Sequence, residues 1–339
     1  MKIKPMTKFA ILALSLVLVA CAGGGSEEAG CPAIDGREIN VVATTPMIGE
    51  FVSQVGGENI NLTVLMPPEA NPHTYEPAPQ DAGTIAEADL VFYTGLLYEP
   101  AALVKLLENS ACSTDILSEV GESVFPIEFK EGGHDDHDDE EGHDDEEGHD
   151  DEEGHDDHEG HNHGAYDPHF WFDPSRVAYA AEYIESRLIE FDPENESSYK
   201  SSADSFVSEL NDLTKQVSEL ISTVPSQNRK LITTHESLGY LEAKFGLEVL
   251  STIIPSLNSA NEISPSDLAG VIDVIEDNNV KVIFIESEAP SVYSETIVAE
   301  TGIKPVTGLY VETLKPGQSY SEFLISNVTL ITENLQDTD

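Results

Sequence analysis

The stretch DPENESSYKSSADSFVSELNDLTKQVSELIS occupies residues 192–222, and its apolar residues Tyr199, Ala203, Phe206, Leu210, Leu213, Val217 and Leu220 step alternately by four and three. That spacing keeps one face apolar over many turns, so it predicts a single long α-helix. Asp192 as N-cap and Pro193 as first helical residue open it, a device that Asp173 and Pro174 also use. A helix over Glu194–Ser222 is about 43 Å long at 1.5 Å per residue, which suits a strut between two lobes.

Both flanks of the strut carry the same grammar. Before it come a β-branched run at Ile39–Thr44, a helix over Met47–Val55, strands at Ile60–Met66 and Leu90–Tyr93, and a helix over Glu99–Leu107. After it come strands at Lys230–Thr234, Glu248–Thr252, Val280–Ile285 and Lys304–Thr307, with Ser264 and Pro265 capping a helix between the middle pair and a closing helix over Ser319–Leu335. Short apolar runs alternating with amphipathic segments read as parallel α/β structure. The expected division is a first α/β lobe at 37–192, the linking helix at 193–223 and a second α/β lobe at 224–339.

The chain opens with Lys2, Lys4 and Lys8, runs apolar from Phe9 to Ala20 and reaches Cys21 through Leu18, Val19 and Ala20. This is a secretory signal over 1–20 with a lipobox, since the apolar run is shorter than the roughly 20 residues a spanning helix needs. Lipidation of Cys21 and a Gly/Ser/Glu tether over 21–36 follow, which places the protein outside the cytoplasm on a membrane surface. In that oxidising setting Cys31 and Cys112 either pair or remain two buried thiols, because nothing in the sequence sets the distance between them.

The net charge is −48, and residues 131–163 alone hold 18 acidic residues with no Lys or Arg. Nucleic acid is excluded as a partner, since phosphate binding needs the opposite sign. Between Gly132 and Gly164 there is no apolar residue, and Gly-His-Asp-Asp-Glu-Glu repeats at Gly142 and Gly148. Such a segment cannot bury a core and reads as a disordered loop.

Eight of the eleven histidines, His134, His137, His143, His149, His155, His158, His161 and His163, fall in that acidic loop, which reads either as a secondary metal-binding tract or as a solubilising insert that binds metal only incidentally, the first being favoured. His73, His169 and His235 alone lie in folding sequence. His73 follows the second strand and His235 comes directly after Leu231-Ile232-Thr233-Thr234. In open α/β sheets ligands bind at the carboxyl ends of strands. Three imidazoles and a carboxylate suit a tetrahedral zinc ion. Glu312, after the last strand, is the carboxylate candidate, and Glu286 and Glu288, after Ile285, compete with it.

Leu65-Met66-Pro67 through Pro72-His73-Thr74-Tyr75-Glu76-Pro77, Ala86-Glu87-Ala88-Asp89-Leu90-Val91-Phe92-Tyr93, Asp167-Pro168-His169-Phe170-Trp171 and Thr233-Thr234-His235 stand in one order. Together they resemble the metal-binding solute-binding proteins of ATP-binding-cassette (ABC) transporters, the ZnuA/TroA type, over essentially the whole mature chain. The resemblance implies two (β/α)4-like lobes joined by one long rigid helix, with a single metal in the cleft between them. It takes His73 and His169 from the first lobe and His235 and a carboxylate from the second, and it makes the partners a permease and its cytoplasmic ATPase, with the protein itself a monomer. Manganese and iron members usually place Asp where this chain has Glu312, and many zinc members lack a carboxylate there. The acidic, histidine-rich insertion resembles the zinc branch.

Imidazole-rich coordination also suits zinc, whereas manganese favours oxygen donors, so Zn2+ is the expected cargo and Mn2+ or Fe2+ the alternatives. Two rival classes remain. A zinc hydrolase would use three protein ligands and one open position, and His235-Glu236 begins like H-E-x-x-H, although residue 239 is glycine. A surface adhesin or metal buffer would need no transporter.

Overall fold

The computed structural model describes residues 31, 34, 36–129, 166–288 and 292–336. The expected signal segment, Cys21, most of the 21–36 tether and the acidic insertion with its eight histidines lie outside the described residues.

The first lobe is built on strands β1 (Ile39–Ala43), β2 (Ile60–Val64), β3 (Leu90–Tyr93) and β4 (Leu117–Glu119), all parallel, in the order β2-β1-β3-β4. Helices α1 (Pro46–Gly56), α2 (Pro79–Ala86) and α3 (Ala101–Ser110) connect them. Thr45 caps α1 by accepting from the Ile48 amide at 3.2 Å, so the helix starts immediately beyond the end of β1. Helix α3 begins two residues later than expected. Glu99 precedes a proline, which disfavours the helical backbone there, and its buried carboxylate instead accepts from the amides of Thr94 and Gly95 at 2.7 and 2.9 Å and from the Thr44 hydroxyl at 2.7 Å.

Helix α4 (Pro174–Phe191) opens on the Asp173 carboxylate, which accepts from Ser175 N at 2.9 Å. The device is not repeated at Asp192. That carboxylate accepts from Asn195 Nδ2 and from the Tyr199 hydroxyl at 2.7 and 2.6 Å, so a single 3-10 turn precedes α5 (Glu196–Ser222). The buried face of α5 carries Tyr199, Ala203, Phe206, Leu210, Leu213 and Val217 but ends on Ile221 rather than Leu220. A strict seven-residue repeat drifts by about 20° per heptad on a straight helix, so after three heptads the next residue has rotated onto the buried face.

The second lobe holds β5 (Lys230–His235) paired in parallel with β6 (Glu248–Ile254), and β7 (Val282–Glu286) paired in parallel with β8 (Lys304–Leu309). β5 and β7 lie side by side, tied by the Glu286 amide donating to Thr234 Oγ1 at 3.0 Å. The chain thus places its strands as in the first lobe, with the first strand in sequence near the centre. Helices α6 (Gly239–Phe245), α7 (Pro265–Asn278), α8 (Val292–Thr301) and α9 (Tyr320–Gln336) complete it. β7 starts at Val282 instead of Val280 because the Val280 amide closes the end of α7 on Ile275 O at 3.1 Å, past Asn279 in the left-handed conformation.

One apolar core runs from β1 and α1 through α4 and α5 into α9, so the lobes share it. Two smaller cores cover the outer faces of the sheets, around Val42, Val91 and Leu103 in the first lobe and Ile232, Ile283 and Ile297 in the second. A disulfide joins Cys31 to Cys112, just beyond α3, with Cα atoms 5.1 Å apart. Among the described residues no helix is long and apolar enough to cross a membrane.

Candidate metal centre

The carboxyl ends of both sets of strands face one cleft, and His73, His169, His235 and Glu312 meet there with one potential ligand atom each, all within 4.8 Å of one another. His169, His235 and Glu312 are buried, and the His73 side chain is 2 % exposed. The Nε2 atoms of His73 and His235 each lie 3.0 Å from Glu312 Oε1, and His169 Nε2 lies 3.5 Å from Oε2. The buried Nε2 atoms of His169 and His235 nevertheless have no hydrogen bond of acceptable geometry. Buried polar atoms are almost always satisfied, so this pair calls for an electrophile.

Each ligand is aimed from behind. His73 sits in a 3-10 turn whose cap, Asn71, accepts from the His73 amide at 2.9 Å; the Asn71 amide group donates to Ser259 Oγ at 3.0 Å and Glu288 O at 3.2 Å in the second lobe. Asp167 Oδ1 accepts from both the amide and Nδ1 of His169, each at 2.8 Å. Glu286 accepts from the His235 amide at 3.1 Å through Oε1 and pairs with His235 Nδ1 through Oε2. A carboxylate on Nδ1 fixes the proton there and leaves Nε2 free to bind metal. Gly239, at the start of α6, makes room for this arrangement, since a Cβ there would stand 2.7 Å from Asp167 Oδ2. The glycine that spoils the H-E-x-x-H resemblance is therefore required by the orienting carboxylate.

The Glu312 backbone is pinned on all sides. Trp171 Nε1 donates to Val311 O at 2.8 Å, Glu288 Oε1 accepts from the amides of Val311 and Glu312 at 3.2 and 3.3 Å, and the Tyr98 hydroxyl lies 3.0 Å from Glu312 O. Of the three competing glutamates, Glu312 thus enters the cluster, Glu286 orients an imidazole and Glu288 holds the loop. Sequence reasoning did not single out Tyr98, Asn71 or Asp167 as site residues. The Asp167-Pro168-His169 motif offered a signal for Asp167; Tyr98 offered only its place beyond the end of β3.

The electrostatics are those of a site prepared for a cation. Burial disfavours charge on His169, yet its hydrogen bond to Asp167 and the nearby Glu312 outweigh it and raise the imidazole to about 9. Burial likewise opposes charge on His235, but Glu286 and Glu312 drive it well above its ordinary value. Glu312, which burial alone would push up, is held well below the usual carboxylate range by His73 and His235. Burial followed by the charge of Glu312 raises Glu288 to about 8.

The family profile described as zinc-uptake complex component A, periplasmic (ZnuA) matches residues 41–334. Similar curated proteins include the manganese ABC transporter substrate-binding lipoprotein PsaA of Streptococcus anginosus, 26 % identical across 98 % of this chain and 99 % of its own length. The high-affinity zinc uptake system protein ZnuA of Bacillus subtilis is 28 % identical across 96 % of each chain. Among solved structures, the periplasmic zinc-binding protein TroA of Treponema pallidum superposes with a TM-score of 0.72 over 88 % of this chain and 99 % of that one; at 21 % identity this shows the fold. Fe(III)-bound YtgA of Chlamydia trachomatis superposes with a TM-score of 0.72 at 25 % identity, over 88 % of this chain and 98 % of that one.

Proposed function

The chain belongs to the ZnuA family, a metal-binding substrate-binding component of an ABC transporter and not an enzyme, and from that premise we propose that its cargo is zinc, held by His73, His169, His235 and Glu312. The observation that carries the reading is the donor set: three imidazole nitrogens and one carboxylate converge in a buried cleft. Two of the other carboxylates nearby, Asp167 and Glu286, are engaged on imidazole Nδ1 atoms. Nitrogen-rich, four-fold coordination suits zinc, whereas manganese favours oxygen donors and six-fold geometry.

Manganese is the competing reading, supported by the names of PsaA and of the MntA relative from Halalkalibacterium halodurans and by the anionic oxygen of Glu312. On the zinc reading the protein is a monomer anchored through lipidated Cys21 outside the cytoplasm. It captures the ion between its lobes and passes it to a permease driven by a cytoplasmic ATPase. Because the lobes share one core across α5, release proceeds by small tilts and local loop movement instead of a wide hinge. The histidines at 134–163 gather further ions at weaker sites.

Metal analysis of protein stripped of metal and then dialysed against equal zinc, manganese and iron(II) tests the assignment. One tightly held equivalent of zinc per chain, surviving a manganese excess, supports it; preferential retention of manganese or iron at that tight site overturns it.

A further inference from the structure

Tyr98 contacts the cluster from the first lobe, and the backbone that delivers it is unusual. Gly95, Leu96 and Leu97 all have positive φ, at 76°, 53° and 63°. Left-handed backbone is disfavoured for a non-glycine residue, and such strain persists only where surrounding groups impose it. Here Glu99 accepts from the amides of Thr94 and Gly95, and Glu119 Oε1 accepts from the Leu96 amide at 2.9 Å. Gly95 cannot be replaced by a larger residue without moving Glu119, whose Oε1 stands 2.0 Å from where a Cβ would be. The turn drives the Tyr98 ring into the cleft, 1 % exposed, edge-on to His73, His169 and Trp171 with centroids 5.1, 5.9 and 5.3 Å away.

The Tyr98 hydroxyl lies 3.0 Å from Glu312 Oε2 and 3.0 Å from Glu312 O. Its single proton can go to either acceptor: the bond to the backbone carbonyl holds the phenol against the Glu312 loop, and the bond to Oε2 opposes rotation of the carboxylate. The other oxygen, Oε1, is the one between His73 Nε2 and His235 Nε2. We propose that Tyr98 is a specificity-determining residue: its phenol occupies Oε2, limits Glu312 to one ligand oxygen, and so favours a four-coordinate zinc-type ion over a six-coordinate manganese-type ion. The proposal rests on the reading of Glu312 as a ligand. Its physical basis is that a charge-assisted hydrogen bond is directional and strong. Turning both oxygens toward the ion would break or bend it, while an octahedral ion gains most from a second carboxylate oxygen.

The test uses the full chain with Tyr98→Phe, which keeps the ring and removes only the hydroxyl, and Tyr98→Leu as a second variant. Zinc and manganese affinities are measured by competition with a chromophoric chelator, and the visible d–d absorption of the cobalt(II) form reports coordination number. The zinc-to-manganese affinity ratio should fall about tenfold in both variants, the scale of one hydrogen bond to a charged group. The cobalt band should weaken as the coordination number rises above four. An unchanged ratio, an equal loss of both metals or an unchanged cobalt band overturns the proposal. Glu312→Ala, run beside them, separates the two readings. If it binds zinc like the parent, Glu312 is no ligand and both fall; if it binds weakly while Tyr98→Phe leaves the ratio intact, only the role of Tyr98 falls.

Discussion

Glu286→Gln changes one atom in the buried support of His235 and should cost zinc affinity through the tautomer of the ring. In the parent, Glu286 accepts twice from the same residue, from the His235 amide at 3.1 Å and from Nδ1, with the Ser237 hydroxyl 3.3 Å from Oε1. A glutamine has one oxygen and one NH2 for these two positions. The backbone amide can only donate, so it takes the oxygen, and the NH2 then faces Nδ1. His235 responds by accepting at Nδ1 and carrying its proton on Nε2, the atom that must bind metal. Metal binding has to reverse that tautomer and leave a buried donor facing a donor, at a cost of about 1.5–3 kcal/mol for a bond to a charged group. At about 1.4 kcal/mol per decade this is a 10- to 100-fold rise in Kd, the range found when an orienting carboxylate is removed from behind a metal-bound histidine. Chelator competition at pH 7.5 measures the change, with the unfolding temperature of the metal-free protein as a control. A zinc Kd within about twofold of the parent would refute the argument, because one hydrogen bond to charge is worth more than that.

Four further outcomes follow from the same geometry. Individual His73→Ala, His169→Ala and His235→Ala substitutions should each weaken tight zinc binding by orders of magnitude, since the shell opens without a replacement donor; calorimetry showing tight binding retained in any one removes that residue from the site. Zinc affinity should rise with pH from 7 to about 9, because metal needs neutral imidazole and His169 keeps its proton up to about 9; a flat profile would contradict it. For the metal-free protein the sign is opposite. A folded value raised from 6.5 to about 9 gives stability that is complete below 6.5 and lost as pH rises through 9, so its unfolding temperature should drop across that window. Deleting residues 132–164, which contain no apolar side chain, should abolish only the weaker extra zinc equivalents; loss of the tight equivalent would place the primary centre in the deleted segment.

Much of the architecture was legible because it is written in local, periodic physics. The apolar face of α5, the Asp173-Pro174 and Ser264-Pro265 helix starts and the β-branched runs of both lobes each depend on residues a few positions apart, and their positions follow from the 3.6- and 2-residue periods. The three folded histidines stood out for a related reason, since strand ends in α/β sheets are where ligands bind. What the one-dimensional pattern left open was which glutamate joins them. Glu286, Glu288 and Glu312 all follow strands of the second lobe, and nothing local separates them. Only the tertiary structure assigns Glu286 to His235 Nδ1, Glu288 to the backbone amides of 311 and 312, and Glu312 to the cluster. The contacts that set this span the cleft, with Tyr98 and Glu312 separated by 214 residues and His73 and Glu312 by 239. Such pairings carry no periodic signature, because they arise from how the two lobes are set against a shared core, and the orientation of a buried carboxylate is decided by the donors that core brings within 3 Å or so of it.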